Sequence, residues 1–250
     1  MAQVVLSTEP RTIAGAVPWG WRDIIRAIVL SVVSLVALLV LLVIAMVVRQ
    51  LMGTSDDVIV LTASVEIGFY GIILLAIYWT TVRRYRSPWA ALGLRPVPLG
   101  WMVLAPLLVL GMLPVGVALT SAISALQGQP FVNPQVHDMS QGQQLTPLHL
   151  MMFLLGTAIV APIVEELFFR GMLYPLLRRR LPGWLAIIAN AAIFAALHFI
   201  PILLPMLFVM GLLLTFVRAR THSIIPGILI HALNNAIFVL GVYAAFQGQA

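Results

Sequence analysis

The sequence predicts an all-α fold, a polytopic transmembrane helical bundle of about seven spans within a range of six to eight, on three observations. Hydrophobic residues make up 62% of the 250 residues and charged residues 9%, and the mean hydropathy is +1.07, a composition foreign to soluble domains. Apolar runs of about 20 residues, enough to cross a hydrocarbon core, follow one another almost from end to end. Arginines gather in every second connection, as they do in cytoplasmic loops. A chain spent this way has no room for a sizeable soluble domain.

Three regions are expected: an N-terminal tail and interfacial collar over residues 1–26, N-terminal transmembrane helices over 27–146, and a catalytic core of helices over 147–250. The first 20 or so residues, with Pro10 and Pro18, read as a poorly ordered tail. Trp19, Trp21, Arg22 and Arg26 form an aromatic and basic collar before the first span, residues 27–48. That run is too long for a signal-peptide core and no small-residue cleavage site follows it, so it reads as a retained signal anchor. The second span, residues 58–82, is interrupted by Glu66 and ends in Arg83, Arg84 and Arg86. The connector from Arg86 to Pro96, R-S-P-W-A-A-L-G-L-R-P, suggests a short interfacial helix between Pro and Gly breaks. Residues 100–123 form the third span, with Pro106 and Pro114 as kinks. Residues 124–147 turn polar, rich in Gln, Gly and Pro and without a basic residue, and read as the longest loop.

The fourth element runs from about residue 148 to Arg178, Arg179 and Arg180. At ~1.5 Å per residue it exceeds a bilayer core, so Gly171 and Pro175 are expected to split off an interfacial or re-entrant piece. Pro182 and Gly183 open a fifth span reaching about residue 200, Pro201 and Pro205 a sixth ending at Arg218 and Arg220, and residues 224–245 form a seventh. The arginine distribution gives a cytoplasmic N-terminus in a multi-pass protein, with the bacterial inner membrane as the expected location. All 14 basic residues are arginine and the net charge is +6. In a soluble chain this would suggest nucleic acid; here topology accounts for it, and no nucleic-acid partner is expected. The absence of cysteine excludes disulfides, thiolate metal sites and thiol nucleophiles.

Chemistry concentrates in A-P-I-V-E-E-L-F-F-R, residues 161–170. Each charged side chain at mid-bilayer costs roughly 2.5 to 3.5 kcal/mol on insertion scales, so three within six residues call for a use. Glu166 and Arg170 stand at i and i+4 and can pair, whereas Glu165 lies about 100° round the helix and stays available. Downstream, F-A-A-L-H puts Phe194 and His198 on one helical face, and H-A-L-N-N does the same for His231 and Asn235. Counted along their helices, Glu165 and His198 both lie about 20 to 24 Å from the arginine connector, and His231 and Asn235 overlap that layer. A buried glutamate can act as general base on water, with His and Asn stabilising an oxyanion. Alternatively Glu165, His198 and His231 could hold a divalent ion such as zinc. Both alternatives stay open, and both point to attack of water on a carbonyl. No H-E-x-x-H, no aspartate within a span and no G-x-S-G element offers another proteolytic route.

The ordered set E-E-x-x-x-R (Glu165, Glu166, Arg170), F-x-x-x-H (Phe194, His198) and H-x-x-x-N (His231, Asn235) resembles the CAAX protease and bacteriocin-processing (Abi) family, which includes the Ras-converting CAAX endopeptidases. The resemblance covers about residues 148–238, and W-x-x-L-G-L-R at Trp89 to Arg95 is familiar there too. It implies an intramembrane endopeptidase in which Glu165 and His198 activate water, His231 and Asn235 form the oxyanion site, and Glu166, Arg170 and Phe194 support them. Family members have been described as both metal-dependent and metal-independent, so the cofactor is none or a divalent metal. The expected partners are a peptide or membrane-protein substrate and the lipid bilayer. The resemblance and the arginine loops favour a site opening to the cytoplasm.

The competing readings are a non-catalytic immunity or partner-binding protein of the same family, and a transporter using Glu66, Glu165 and the histidines as a proton relay. Glu66 itself is expected either to gate substrate or handle protons, or to pair with an arginine or backbone group. His149 reads as interfacial, and Asn190 as a hydrogen-bonding residue between helices.

Overall fold

A computed structural model describes residues 17–53, 57–128 and 130–247; most of the expected N-terminal tail lies outside them. Every regular element among the described residues is a helix, and six helices are long and apolar enough to cross a membrane. In chain order the elements are α1 (Trp21–Leu51), α2 (Val58–Arg83), α3 (Leu99–Leu126), α4 (Pro134–Ser140), α5 (Pro147–Arg178), α6 (Gly183–Ala196), α7 (Leu204–Thr221) and α8 (Ile225–Gln247). The protein is therefore an integral, multi-pass helical bundle.

Three expectations change. The fifth span is α6, whose 14 residues rise only about 21 Å, short of a ~30 Å hydrocarbon core. It stops because Phe199 takes a left-handed backbone (φ 55°) and Pro201 follows. The region read as the longest loop also contains α4, begun by Asn133, whose side chain accepts the Gln135 N–H, and by Pro134 at its first position.

α5 does not split at Gly171 and Pro175. It runs unbroken for 32 residues by widening twice into π-helix, at Leu154–Val160 and Leu167–Leu173. Each widening lies just before a proline. Ala161 N–H bonds to Gly156 O, and Pro162 has no N–H to give to Thr157 O. Tyr174 N–H bonds to Phe169 O, and Pro175 has none for Arg170 O. Each freed carbonyl finds a side chain instead: Asn235 Nδ2 donates to Thr157 O (2.9 Å) and Arg218 Nε to Arg170 O (3.2 Å). The prolines thus tie α5 to its neighbours rather than breaking it.

Small residues set the close crossings. A Cβ on Gly211 would stand 2.9 Å from Ala191 Cα, so α6 and α7 meet backbone to backbone. One on Gly171 would stand 2.7 Å from Leu92 O, where α5 crosses the 3₁₀ turn Trp89–Leu92; this turn is the short helix expected in the connector. Asn190 bonds between helices as expected, donating to Phe169 O (2.9 Å) and accepting from Thr215 Oγ1 (3.0 Å).

The collar is less interfacial than its composition suggests. Trp19 is 1% exposed and donates its indole N–H to Met172 O. Asp23 is buried inside α1, where Tyr85 and Arg26 bond to it and Arg84 lies 3.4 Å away. His149 is also buried, and joins α5 to the start of α2. Its Nδ1 accepts the Thr146 N–H, so its Nε2–H donates to Asp57 (2.7 Å). That hydrogen bond holds the Asp57 carboxyl below its ordinary value.

Candidate active site

α5 carries the two carboxylates in the α-helical stretch Ala161–Glu166, between its π segments. The expected i, i+4 pair forms: Arg170 Nη1 donates to Glu166 Oε1 at 2.6 Å, with both side chains fully buried. Arg170 also bonds to Thr215 Oγ1 and Gly211 O, both at 3.3 Å. Its guanidinium carbon lies 4.4 Å from the Phe194 ring centroid. Each of its three nitrogens thereby donates one hydrogen bond inside the core.

Glu165 faces elsewhere. Its Oε1 accepts the Tyr70 hydroxyl at 2.5 Å, while its buried Oε2 has no hydrogen-bond partner. Oε2 points into a gap, 3.9 Å from His198 Nε2 and 3.8 Å from His231 Nε2. The predicted levelling of Glu165, His198 and His231 is thus what the fold produces. His198 stands just past the end of α6, where the turn at Phe199 swings it inward. The Phe194 carbonyl can only accept, so the 2.7 Å contact fixes the proton on His198 Nδ1 and a neutral ring offers its Nε2 lone pair to the gap. Phe194 is fully buried and edge-on to both imidazoles, at 4.7 Å from His198 and 5.8 Å from His231.

His231 bridges the two carboxylates. Its Nδ1 lies 3.4 Å from Glu166 Oε1, an acceptor already charged by its partnership with Arg170, so this nitrogen carries a proton. His231 can donate from Nε2 as well only when both ring nitrogens carry a proton. Asn235 is also in place, but one amide hydrogen goes to Thr157 O and its Oδ1 accepts from Asn234 (3.0 Å). Its second hydrogen remains for a ligand.

A cavity of about 350 Å³ contains all four predicted residues, Glu165, His198, His231 and Asn235. A second, more apolar groove of about 460 Å³ reaches Glu165 and His198 from the side, between α1, α2 and α5. From the Glu165 layer the first cavity extends toward Thr157 on α5, Glu66 on α2 and Phe238 on α8, and Phe131, Asn133 and Gln135 of the α3–α5 connection line it. It therefore runs away from the arginine-bearing helix ends.

Sequence reasoning missed Tyr70, Thr157, Asn234 and the connection residues. The spacing of Glu66 and Tyr70, i and i+4 on one apolar helix, was the available signal for Tyr70. Among the described residues Glu66 pairs with no arginine; it accepts the Thr157 hydroxyl at 3.0 Å and lines the cavity. Among the described residues no group of three or more His, Asp or Glu is arranged to hold a metal ion. The set of Glu165, His198 and His231 allowed by the sequence, and with it the metalloprotease reading, finds no support in this geometry.

Comparison with known proteins gives the same region a name. A family model described as "Type II CAAX prenyl endopeptidase Rce1-like" matches residues 147–237, which hold every residue of the three motifs. An Escherichia coli protein described as an uncharacterized 24.3 kDa protein is 31% identical over 155 residues, 60% of this chain and 67% of that protein. No solved structure matches the chain significantly. With its motif residues gathered into one membrane-embedded site and its core matched by that model, the chain belongs to the Rce1-like family of CAAX-type endopeptidases.

Proposed function

We propose that this protein is an intramembrane endopeptidase that hydrolyses peptide bonds of membrane-associated substrates with Glu165 as general base. The carrying observation is the unpartnered Glu165 Oε2, buried and facing two imidazole nitrogens across less than 4 Å. A water in that gap can donate one hydrogen to Glu165 and the other to the His198 Nε2 lone pair, which raises the nucleophilicity of its oxygen.

In the first step the water oxygen bonds to the substrate carbonyl carbon while Glu165 takes a water proton. The carbonyl becomes an oxyanion, met by Nε2–H of His231 imidazolium and the second Asn235 amide hydrogen. In the second step the C–N bond breaks, the carbonyl reforms, and Glu165 returns its proton to the leaving nitrogen. Tyr70 keeps the carboxylate pointed at the gap throughout. Glu166, itself paired with Arg170, orients His231 through Nδ1, and Phe194 packs edge-on against both rings.

The lateral apolar groove suits substrates that approach within the bilayer. The arginine-rich ends read as cytoplasmic in a bacterial inner membrane, which leaves the cavity extending toward the opposite face. Any metal stays outside this scheme, which uses the chain's own groups alone.

The test is cleavage of a quenched-fluorescent peptide library by the purified protein in proteoliposomes. General acid–base loss predicts a fall of about 10²- to 10⁴-fold for Glu165→Gln. Equal activity in the two proteins would refute the assignment. A non-catalytic family role is the remaining alternative, and it predicts no cleavage by either.

A further inference from the structure

We propose that Glu66, held by Thr157, forms a subsite for a cationic side chain of the substrate within about two residues of the scissile bond. The proposal rests on the endopeptidase reading and names the class of peptide the site selects.

Glu66 is the second carboxylate of the cavity that holds Glu165, and among the described residues no arginine lines it. The chain contains no lysine. Arg170, the cation of the same core, is spent on Glu166, Thr215 and Gly211. Glu66 receives one donor, the Thr157 hydroxyl, at 3.0 and 3.3 Å from its two oxygens. A carboxylate can accept about four hydrogen bonds, so most of its capacity remains for something in the cavity. It is supported from behind, since a Cβ on Gly156 would stand 3.7 Å from the Glu66 carboxyl carbon.

An independent feature points the same way. Asn234 Nδ2 donates to Asn235 Oδ1, Asn235 Nδ2 to Thr157 O, and Thr157 Oγ1 to Glu66, forming one connected chain along the cavity wall. At its far end Asn234, 7% exposed, has an Oδ1 with no donor at all. The wall thus presents acceptors at both ends and asks for N–H groups. A lysine ammonium or arginine guanidinium supplies several, with the charge that Glu66 lacks.

The register follows from α2. Glu66 and Tyr70 are one turn apart, ~6 Å along the helix axis, and Tyr70 holds the general base. An extended peptide advances about 3.3 Å per residue, so this separation spans about two residues. The cation is bound beside the bond that Glu165 acts on.

The experiment uses fluorescein-labelled decapeptides of Ala and Leu with one lysine moved through every position, each against its norleucine counterpart. Binding is measured to Glu165→Gln protein in nanodiscs, where Glu66 is the one carboxylate free in the cavity and cleavage is suppressed. Lysine at one or two positions should tighten binding about tenfold, equivalent to ~1.4 kcal/mol. Adding Glu66→Gln should erase the preference while norleucine peptides bind as before. Thr157→Val, which keeps the charge, should retain it. Absence of a lysine preference, or a preference that survives Glu66→Gln, overturns the subsite. Cleavage by the Glu165-intact protein is scored separately: binding selectivity without Glu165-dependent cleavage would sink the protease reading and leave the subsite standing.

Discussion

Adjacent glutamates in α5 live in opposite environments, and their variants should separate accordingly. Glu166 is fully buried against Arg170, so Arg170→Met strands a carboxylate in the dry core. Removing one partner of a buried pair costs about 3 to 5 kcal/mol, so a large drop in Tm in detergent is expected. The double variant Glu166→Gln/Arg170→Met should recover much of that loss. Glu165→Gln removes a buried acceptor without a donor, so its Tm should hold or rise. At this scale the sequence was legible where polarity contradicted its surroundings: a charge or imidazole in an apolar helix has few explanations, and spacing alone paired Glu166 with Arg170. Tyr70 was not, because an amphipathic aromatic in a span reads equally well as packing. The metal set was drawn from residue types, and it lost support once the side-chain geometry was known.

The two π segments of α5 decide where its side chains point. Each lies just before a proline that withholds an N–H, and each freed carbonyl is taken by a residue from another helix. Pro162→Ala would return an N–H to that turn. The extra residue could then be released and Glu165 would rotate relative to Thr157. Displacement of a catalytic group by ~1 Å can cost on the order of 10²-fold in rate, so a loss of that size is expected, with Tm unchanged or raised. A fall in Tm with activity retained would contradict this role for the proline. Pro162 and Pro175 were visible in the sequence, but their consequence depended on Asn235 and Arg218, more than 40 residues further along the chain. The same limit explains α6: 18 residues with Asn190 and His198 alone polar promised a full span, and the left-handed turn at Phe199 that ends it early carries no strong signature in the sequence.

Across the whole molecule, composition and arginine spacing were enough for a membrane bundle with its polar residues in one layer. They could not show which way the cavity runs, because that depends on how α2, α5 and α8 face one another. The central claim is that Glu165 makes this bundle a peptidase. It is tested most directly by comparing protein termini in membranes of cells that carry the wild-type chain or Glu165→Gln at matched abundance. The account predicts new termini in wild-type membranes alone, within or beside membrane spans, with basic residues enriched next to the cuts. Identical terminal profiles in the two membranes, with the wild-type protein folded and abundant, would contradict it.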